Sequence, residues 1–385
     1  MRETVVAFCL LVTGLLSGCA HGPGTTRPEE VAEPSVRRHE ASVQAEAEIL
    51  SAERTARHKA PQSRRSMWRS DDFAPLPPKS EDEIRIHFVS IGAGACQVIE
   101  CPGVDATPLV VDCGSTSPNT TRGLRDSEAI RYVQETLAGR GANVVVSHPD
   151  KDHYAYLPRA VPANKVQTLW MGGEFTAYPD DVRNWAAQVD ARSTASLQRL
   201  FADLPQNWHN AGEAVESLQC GEALTFVLTT NNGSTSNDQS LVLSVDHGEF
   251  RSIFPGDATN ASQDAALGNF PGDLLVSSLV VASHHGAVTH GSNSDAWVAA
   301  TQPLYVIYSA GSSYFHPRCD AIDTFRAGDT LLPAESHGFR CGDGSAWRSG
   351  PSDAAEFNTH SSGVIVVTSD AFLSNTSVIC RPGPC

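Results

Sequence analysis

Ser147-His148-Pro149-Asp150-Lys151-Asp152-His153 is the stretch that decides the reading of this chain. It follows the apolar run Ala142–Val146, so a buried strand is expected to stop abruptly on polar residues. Two imidazoles and two carboxylates lie between His148 and His153. A loop at a strand end can fold such side chains around one point. Imidazole nitrogen and carboxylate oxygen both suit Zn²⁺, Mn²⁺ or Fe²⁺. The alternative is a charged surface turn with an Asp capping a short helix.

Three downstream segments weigh against that alternative. "SIFPGDA" ends an apolar strand on Gly256-Asp257, where glycine lets the backbone turn closely and the two oxygens of Asp257 can bridge two cations. By itself Asp257 reads equally well as a helix cap before Ala258–Leu267. "VVASHHGAVTHG" ends another strand on His284-His285-Gly286. Adjacent histidines at a strand end point in different directions, so one can ligate while the other faces a substrate. "SSYFHPRC" places His316 before a proline at a further strand-to-helix junction, where a plain surface histidine is the competing reading.

Around these segments the chain alternates strands and helices. "IRIHFVSIG", "ACQVIEC" and "PLVVDCG" read as strands, with a turn at Gly92 and Gly94, and Asp126–Leu137 has helical spacing. "ALTFVLTT", "QSLVLSVDHG", "FRSIFPGD", "LLVSSLVVASHHG", "PLYVIYSAG" and "SGVIVVTSD" follow, with a short helix near Asp320–Arg326. Helices interleaved with hairpin-like strand pairs predict an α/β protein with mixed sheets. Residues 160–220 are expected to include an insertion that shapes the pocket, and Trp170, Trp185 and Trp208 in that stretch read as packing residues.

The order of the motifs resembles the metallo-β-lactamase superfamily. More narrowly, it is similar to the branch holding the hydrolase domain of the ComEC competence protein and the pneumococcal phosphorylcholine esterase. Ile91-Gly92-Ala93-Gly94-Ala95 matches the branch's first turn, with Ala95 where an Asp is usual. Asp112-Cys113-Gly114 matches its Asp-x-Gly strand end, and His148 to His153 its His-x-Asp-x-Asp-His loop. Asn237 to Val242, Gly256-Asp257, His284-His285-Gly286 and Tyr314-Phe315-His316-Pro317 match in turn, and "ESHGFRC" resembles the branch's closing strand. The resemblance covers about residues 83–370.

It implies a four-layer αβ/βα metallo-β-lactamase sandwich with two divalent cations, Zn²⁺ or Mn²⁺, at one edge. His148 and Asp150 would hold the first cation, Asp152 and His153 the second, with Asp257 bridging and His285 completing the second site. His284 and His316 would face substrate, with Asp152 also in a catalytic role. Asp150 stands where the lactamase branch has a histidine, which hardens the first site and disfavours β-lactams. The superfamily's remaining histidine has no clear match, His209 and His247 being the intervening candidates. The implied reaction is hydrolysis by a metal-activated water, with phosphodiesters as the leading substrates. A lactone or amide hydrolase and a non-catalytic surface-binding lipoprotein are the competing readings.

At the N-terminus, Arg2 precedes an apolar run from Val5 to Leu16, too short to span a bilayer comfortably. It ends in Leu16-Ser17-Gly18-Cys19-Ala20, which resembles the lipobox of bacterial lipoproteins. Residues 1–19 are therefore expected to be a lipoprotein signal, with a lipid at Cys19. Residues 20–80, rich in Pro, Glu, Arg and Ser, read as a flexible tether with a short helix near Ala41–His58, and residues 81–385 as the hydrolase domain. An exported address on the periplasmic side or cell surface agrees with the cysteines. Apart from Cys9 and Cys19 eight remain, an even number that suggests disulfides. The net charge of −16 argues against tight nucleic-acid binding and favours small or surface-bound phosphodiesters.

Overall fold

The computed structural model describes residues 73–117, 124–190, 208–210, 213–215 and 218–385. The signal, Cys19 and the helix expected near Ala41–His58 lie outside the described residues. Among the described residues no helix is long and apolar enough to cross a membrane.

Strands β1 (Ile84–Phe88), β2 (Cys96–Glu100) and β3 (Leu109–Cys113) lead into helix α1 (Asp126–Leu137) and strand β4 (Ala142–Val146). The short helices α2 (Lys151–Tyr154) and α3 (Leu157–Ala160) precede β5 (Val166–Met171) and α4 (Asp180–Asp190). Next come β6 (Leu224–Thr229), β7 (Val242–His247), β8 (Phe250–Phe254), α5 (Asn260–Asn269), β9 (Leu279–Val281), α6 (Asp295–Thr301) and β10 (Tyr305–Tyr308). The chain closes with α7 (Cys319–Ala327), β11 (Pro333–Gly342), β12 (Trp347–Ala354), β13 (Glu356–Asn358), α8 (Thr359–Ser362), β14 (Val364–Ser369) and β15 (Ser377–Arg381).

Two mixed sheets result, ordered β15-β14-β1-β2-β3-β4-β5 and β13-β10-β9-β8-β7-β6. Alternation along each strand explains how they stack. Ile84, Ile86 and Phe88 of β1 point into a shared core with Leu243, Val245, Leu279 and Ile307 of the facing sheet. On the outer face of the first sheet, Val98, Val110 and Val144 pack against Val133 and Leu137 of α1 and Trp185 of α4. On the outer face of the second, Val242, Val280 and Val306 pack against Ala266 of α5, Trp297 of α6 and Phe325 of α7. Helix, sheet, sheet and helix make a four-layer αβ/βα sandwich, the architecture expected from the sequence.

Some details differ from the sequence reading. That reading puts residues 73–80 in the tether, yet Phe73 is buried edge-on to Tyr132, and Pro77 accepts a 3.0 Å bond from Arg85. The apolar run at Leu274–Val281 is a strand only over Leu279–Val281, because a 3₁₀ turn at Gly272–Leu275 takes the first part and the Ser277 amide bonds to Thr301. "ESHGFRC" belongs to β11, which forms a separate two-stranded sheet with β12 and meets the loop before α7 in a single parallel bridge, Arg318 to Gly342. Trp170 and Trp185 are buried, as the packing reading requires.

All eight cysteines among the described residues are paired, as Cys96–Cys113, Cys101–Cys220, Cys319–Cys341 and Cys380–Cys385. Such pairing fits an oxidising compartment. Cys101 follows β2, which runs antiparallel to β3, so the Cys101–Cys220 bridge joins the two halves at the edge away from Asp112. It closes a loop of 119 residues. Replacing both cysteines with alanine is expected to cost about 2–4 kcal/mol of stability in urea unfolding. A loss below about 1 kcal/mol would show that packing alone holds that edge.

Candidate metal centre

The centre grows from the end of β3. Asp112 takes a left-handed φ of 53°, which turns its carboxylate toward the loop after β4. Its Oδ1 accepts from the Ser147 amide at 2.7 Å, and its Oδ2 accepts from the Ser147 hydroxyl at 2.8 Å. His153 Nδ1 lies 2.8 Å from the same Oδ2. That bond places the proton on Nδ1 and leaves the Nε2 lone pair pointing inward. Helix α2 carries Asp152 and His153 across Gly114 so closely that a Cβ there would lie 2.5 Å from the Lys151 carbonyl oxygen. Glycine is therefore required for the loop to sit against the strand. Gly172 makes room on the other side, where a Cβ would lie 1.9 Å from the Ser147 carbonyl oxygen.

The second sheet supplies the remaining groups. After β8 the chain turns through Gly256 at φ 58° and buries Asp257. Helix α5 takes Thr259 as its N-cap, so Asp257 does not serve as the cap. His284 and His285 both hold left-handed backbone, at φ 51° and 58°, and their rings diverge by 65°. His285 Nδ1 donates to the Ser309 carbonyl at 2.8 Å and so presents Nε2 to the cluster.

Asp257 lies at the middle. Its Oδ1 is 3.1 Å from His153 Nε2 and 3.6 Å from His285 Nε2. Its Oδ2 is 3.8 Å from His148 Nε2 and 3.6 Å from His284 Nε2. Asp150 approaches His148 Nε2 at 3.5 Å, and Asp152 approaches His285 Nε2 at 3.6 Å. Among the described residues two groups have the spacing to hold a metal ion: His148, His153 and Asp257, and Asp152, His153 and His285. Four atoms in them, His148 Nε2, His153 Nε2, His285 Nε2 and Asp257 Oδ1, are buried without a hydrogen-bond partner. Orphaned buried polar atoms are costly, and convergent ones fit a bound cation. The donor set therefore suits divalent metals.

The fold thus brings together His148, Asp150, Asp152, His153, Asp257, His284 and His285. His316 lies beside them, its ring 6.0 Å from that of His284 and 6.4 Å from that of His285. The sequence reading turns His284 toward substrate, whereas its Nε2 reaches the same Asp257 oxygen as His148. His209 packs against Phe270 and His247 bonds to the Asp82 carbonyl, so neither supplies the ligand that the sequence leaves open. Asp112 stands in the sequence reading only as a motif residue. Its signal is the same as that of Asp257, an aspartate ending an apolar strand beside glycine or near it. The Ala95 amide donates to the Asp152 carbonyl at 3.0 Å.

Burial and charge compete at the heart of the cluster. Burial pushes the Asp257 carboxyl up, but His153, His285 and His284 hold it well below the usual range. Burial likewise raises Asp152, yet His285 and His153 bring it down to about 2. For Asp150 burial is again outweighed, by His148 and the Ser236 hydroxyl. Burial lowers the His153 imidazole, but Asp257 and Asp112 lift it well above the ordinary value, and Asp257 and Asp152 raise His285 in the same way. His284 ends lower through burial, and His316 well below the ordinary value through burial and the neighbouring His284, His285 and Arg318.

No family model and no curated protein matches this chain. Among solved structures it is similar to CmlA, a diiron β-hydroxylase from Streptomyces venezuelae, at 12% identity and a TM-score of 0.39, with 79% of this chain and 55% of that one covered. A point mutant of the CmlA β-hydroxylase gives 12% identity and a TM-score of 0.39, over 76% and 54%. The metallo-β-lactamase fold protein YhfI from Bacillus subtilis is similar at 14% identity and a TM-score of 0.37, over 73% of this chain and 98% of that one. The chain spans about half the length of the β-hydroxylase structures. The case for the site rests on its own geometry.

Asp112→Asn keeps the shape of the side chain but loses the charge on His153. It should weaken metal binding about 10–100-fold in a chelator competition, and unchanged affinity would remove Asp112 from the centre. Because His153 and His285 are raised in the metal-free protein and bind metal only when Nε2 is unprotonated, binding should release protons. Apparent affinity should therefore rise with pH, about tenfold per unit for each proton released, until those imidazoles titrate. A titration flat between pH 5.5 and 8, roughly the range where histidine switches, would contradict the assignment.

Proposed function

We propose that this protein is a metal-dependent hydrolase of the metallo-β-lactamase superfamily, exported and lipid-anchored at Cys19, and that its substrates are small or surface-bound phosphodiesters. The observation that supports it most is the set of unpartnered atoms around Asp257, whose two oxygens face two different pairs of histidines. His148, Asp150 and His284 would hold one cation, Asp152, His153 and His285 the other, with Asp257 shared. Placing His284 in the first set fills the position that neither His209 nor His247 reaches.

Bound there, two divalent cations would acidify a water and offset the charge that builds on an attacked phosphorus centre. The protein's own groups would do the rest. Asp152, brought down to about 2 by His285 and His153 against the effect of burial, would orient the attacking water as a hydrogen-bond acceptor. His316, neutral at neutral pH because of its depressed pKa, would donate its ring N–H to the oxygen of the leaving group. Asp150 adds a hard oxygen donor to the first set, which makes Mn²⁺ a rival to Zn²⁺. The phosphodiester preference rests on the motif resemblance. The net charge of −16 favours short substrates over long polyanions.

The test is hydrolysis of bis(4-nitrophenyl) phosphate with added Zn²⁺ or Mn²⁺. Turnover should require metal and fall at least about 100-fold in Asp257→Ala, more than the loss of an outer partner would give. Protein that binds metal and opens lactones or amides, but no phosphodiester, would sink the substrate class. Protein that binds no metal would sink the reading as a whole.

A further inference from the structure

The loop that carries His316 is held in an unfavourable shape. Tyr314 and Phe315 precede it with φ of 63° and 55°. Two bulky side chains in succession rarely take left-handed backbone, and such a conformation persists only where the surroundings impose it. Here the hairpin of β11 and β12 imposes it. The Gly342 amide donates to the Pro317 carbonyl at 2.9 Å, and a Cβ on Gly342 would lie 2.2 Å from the Phe315 carbonyl oxygen. The Phe315 ring lies 5.4 Å from Trp347, the first residue of β12. Trp347 is itself wedged, with the Arg340 guanidinium 4.3 Å over its ring and the His360 ring stacked at 5.1 Å. Cys319–Cys341 ties the hairpin to the residues after His316, and the Arg318 amide bonds to the Gly286 carbonyl at 2.9 Å. The loop is thus fastened to the hairpin on one side and to the His284-His285-Gly286 turn on the other.

The hairpin belongs to neither main sheet, and most of its residues are exposed or half-buried. A two-stranded ribbon is marginal by itself, so what it packs against gives it order and it returns that order to the loop. We infer that this hairpin, through Trp347, is a positioning element that sets His316 against the leaving group of the substrate. The inference rests on the role given to His316 above. Trp347 acts through Phe315 and is a positioning residue.

The experiment compares Trp347→Leu, Trp347→Phe and His316→Ala on two phosphodiesters that differ only in the leaving alcohol, 4-nitrophenol or a simple alkyl alcohol. A donor to the leaving oxygen matters more when that oxygen is basic. A small misplacement can cost on the order of 100-fold. Trp347→Leu should therefore lower kcat for the alkyl ester at least about 10-fold more than for the nitrophenyl ester, with KM little changed. His316→Ala should show the same bias, Trp347→Phe should restore most of the rate, and Trp347→Leu should add nothing in the His316→Ala background. Equal losses on both esters, or a further loss in the double variant, would overturn the inference. A second readout does not depend on turnover. In ¹³C-histidine-labelled protein, the His316 ring signal should be sharp and unshifted in Trp347→Phe and shifted or split in Trp347→Leu. An unchanged signal in Trp347→Leu would overturn the inference. Wild-type protein that cleaves neither ester would sink the phosphodiesterase reading, and the ring signal would then decide the positioning role alone.

Discussion

The Asp112 carboxylate accepts from the Ser147 amide, the Ser147 hydroxyl and the His153 ring, and the rest of the centre depends on those bonds. They join the end of β3 to the loop after β4, so that loop is fixed by the sheet rather than left to adapt. They also decide which nitrogen of His153 carries a proton. Around those bonds Nε2 faces Asp257, helix α2 crosses Gly114 closely, and Asp152 comes within 3.6 Å of His285 Nε2. Asp112 thus sets the direction of groups that converge on Asp257.

The centre is also an electrostatic compromise. Asp150, Asp152 and Asp257 converge within a few ångströms of four imidazoles, most of them out of contact with water. Without metal, protons on His153 and His285 are the available counter-charge, which is why those imidazoles are raised while the carboxyls are depressed. A bound cation would take over that role, with the same nitrogen and oxygen atoms as its donors.

How much could be read beforehand depended on distance along the chain. Ala142–Val146 and Asp126–Leu137 were legible because their apolar spacing is local, and helix and strand form there with the expected limits. The loop from His148 to His153 was legible because its chemistry is concentrated in consecutive positions. The direction of His284 was not, since it depends on Gly256, whose carbonyl accepts the His284 amide at 3.0 Å from another strand end. Helix α4 lies in the stretch expected to include an insertion, although Val182, Trp185, Ala186 and Val189 are spaced as one buried helix face. The separate hairpin of β11 and β12 was invisible for a different reason. Its strands form their own two-stranded sheet, and no hydrophobic pattern distinguishes that from joining a larger one.

The two sheets are closed on each other at opposite edges by different means. Cys101–Cys220 joins them at one edge with a covalent bond, while at the other His148, Asp150, Asp152 and His153 come from the first sheet and Asp257, His284 and His285 from the second. The sandwich is built like a clasped book, with a sewn spine and a clasp of opposite charges that an ion would draw tighter. A book of that kind does not fall apart when the clasp is undone; it gapes at the fore-edge. Scarcity of metal would then be felt as a loosening confined to the working edge, leaving the spine shut and the protein ready to close again when ions return.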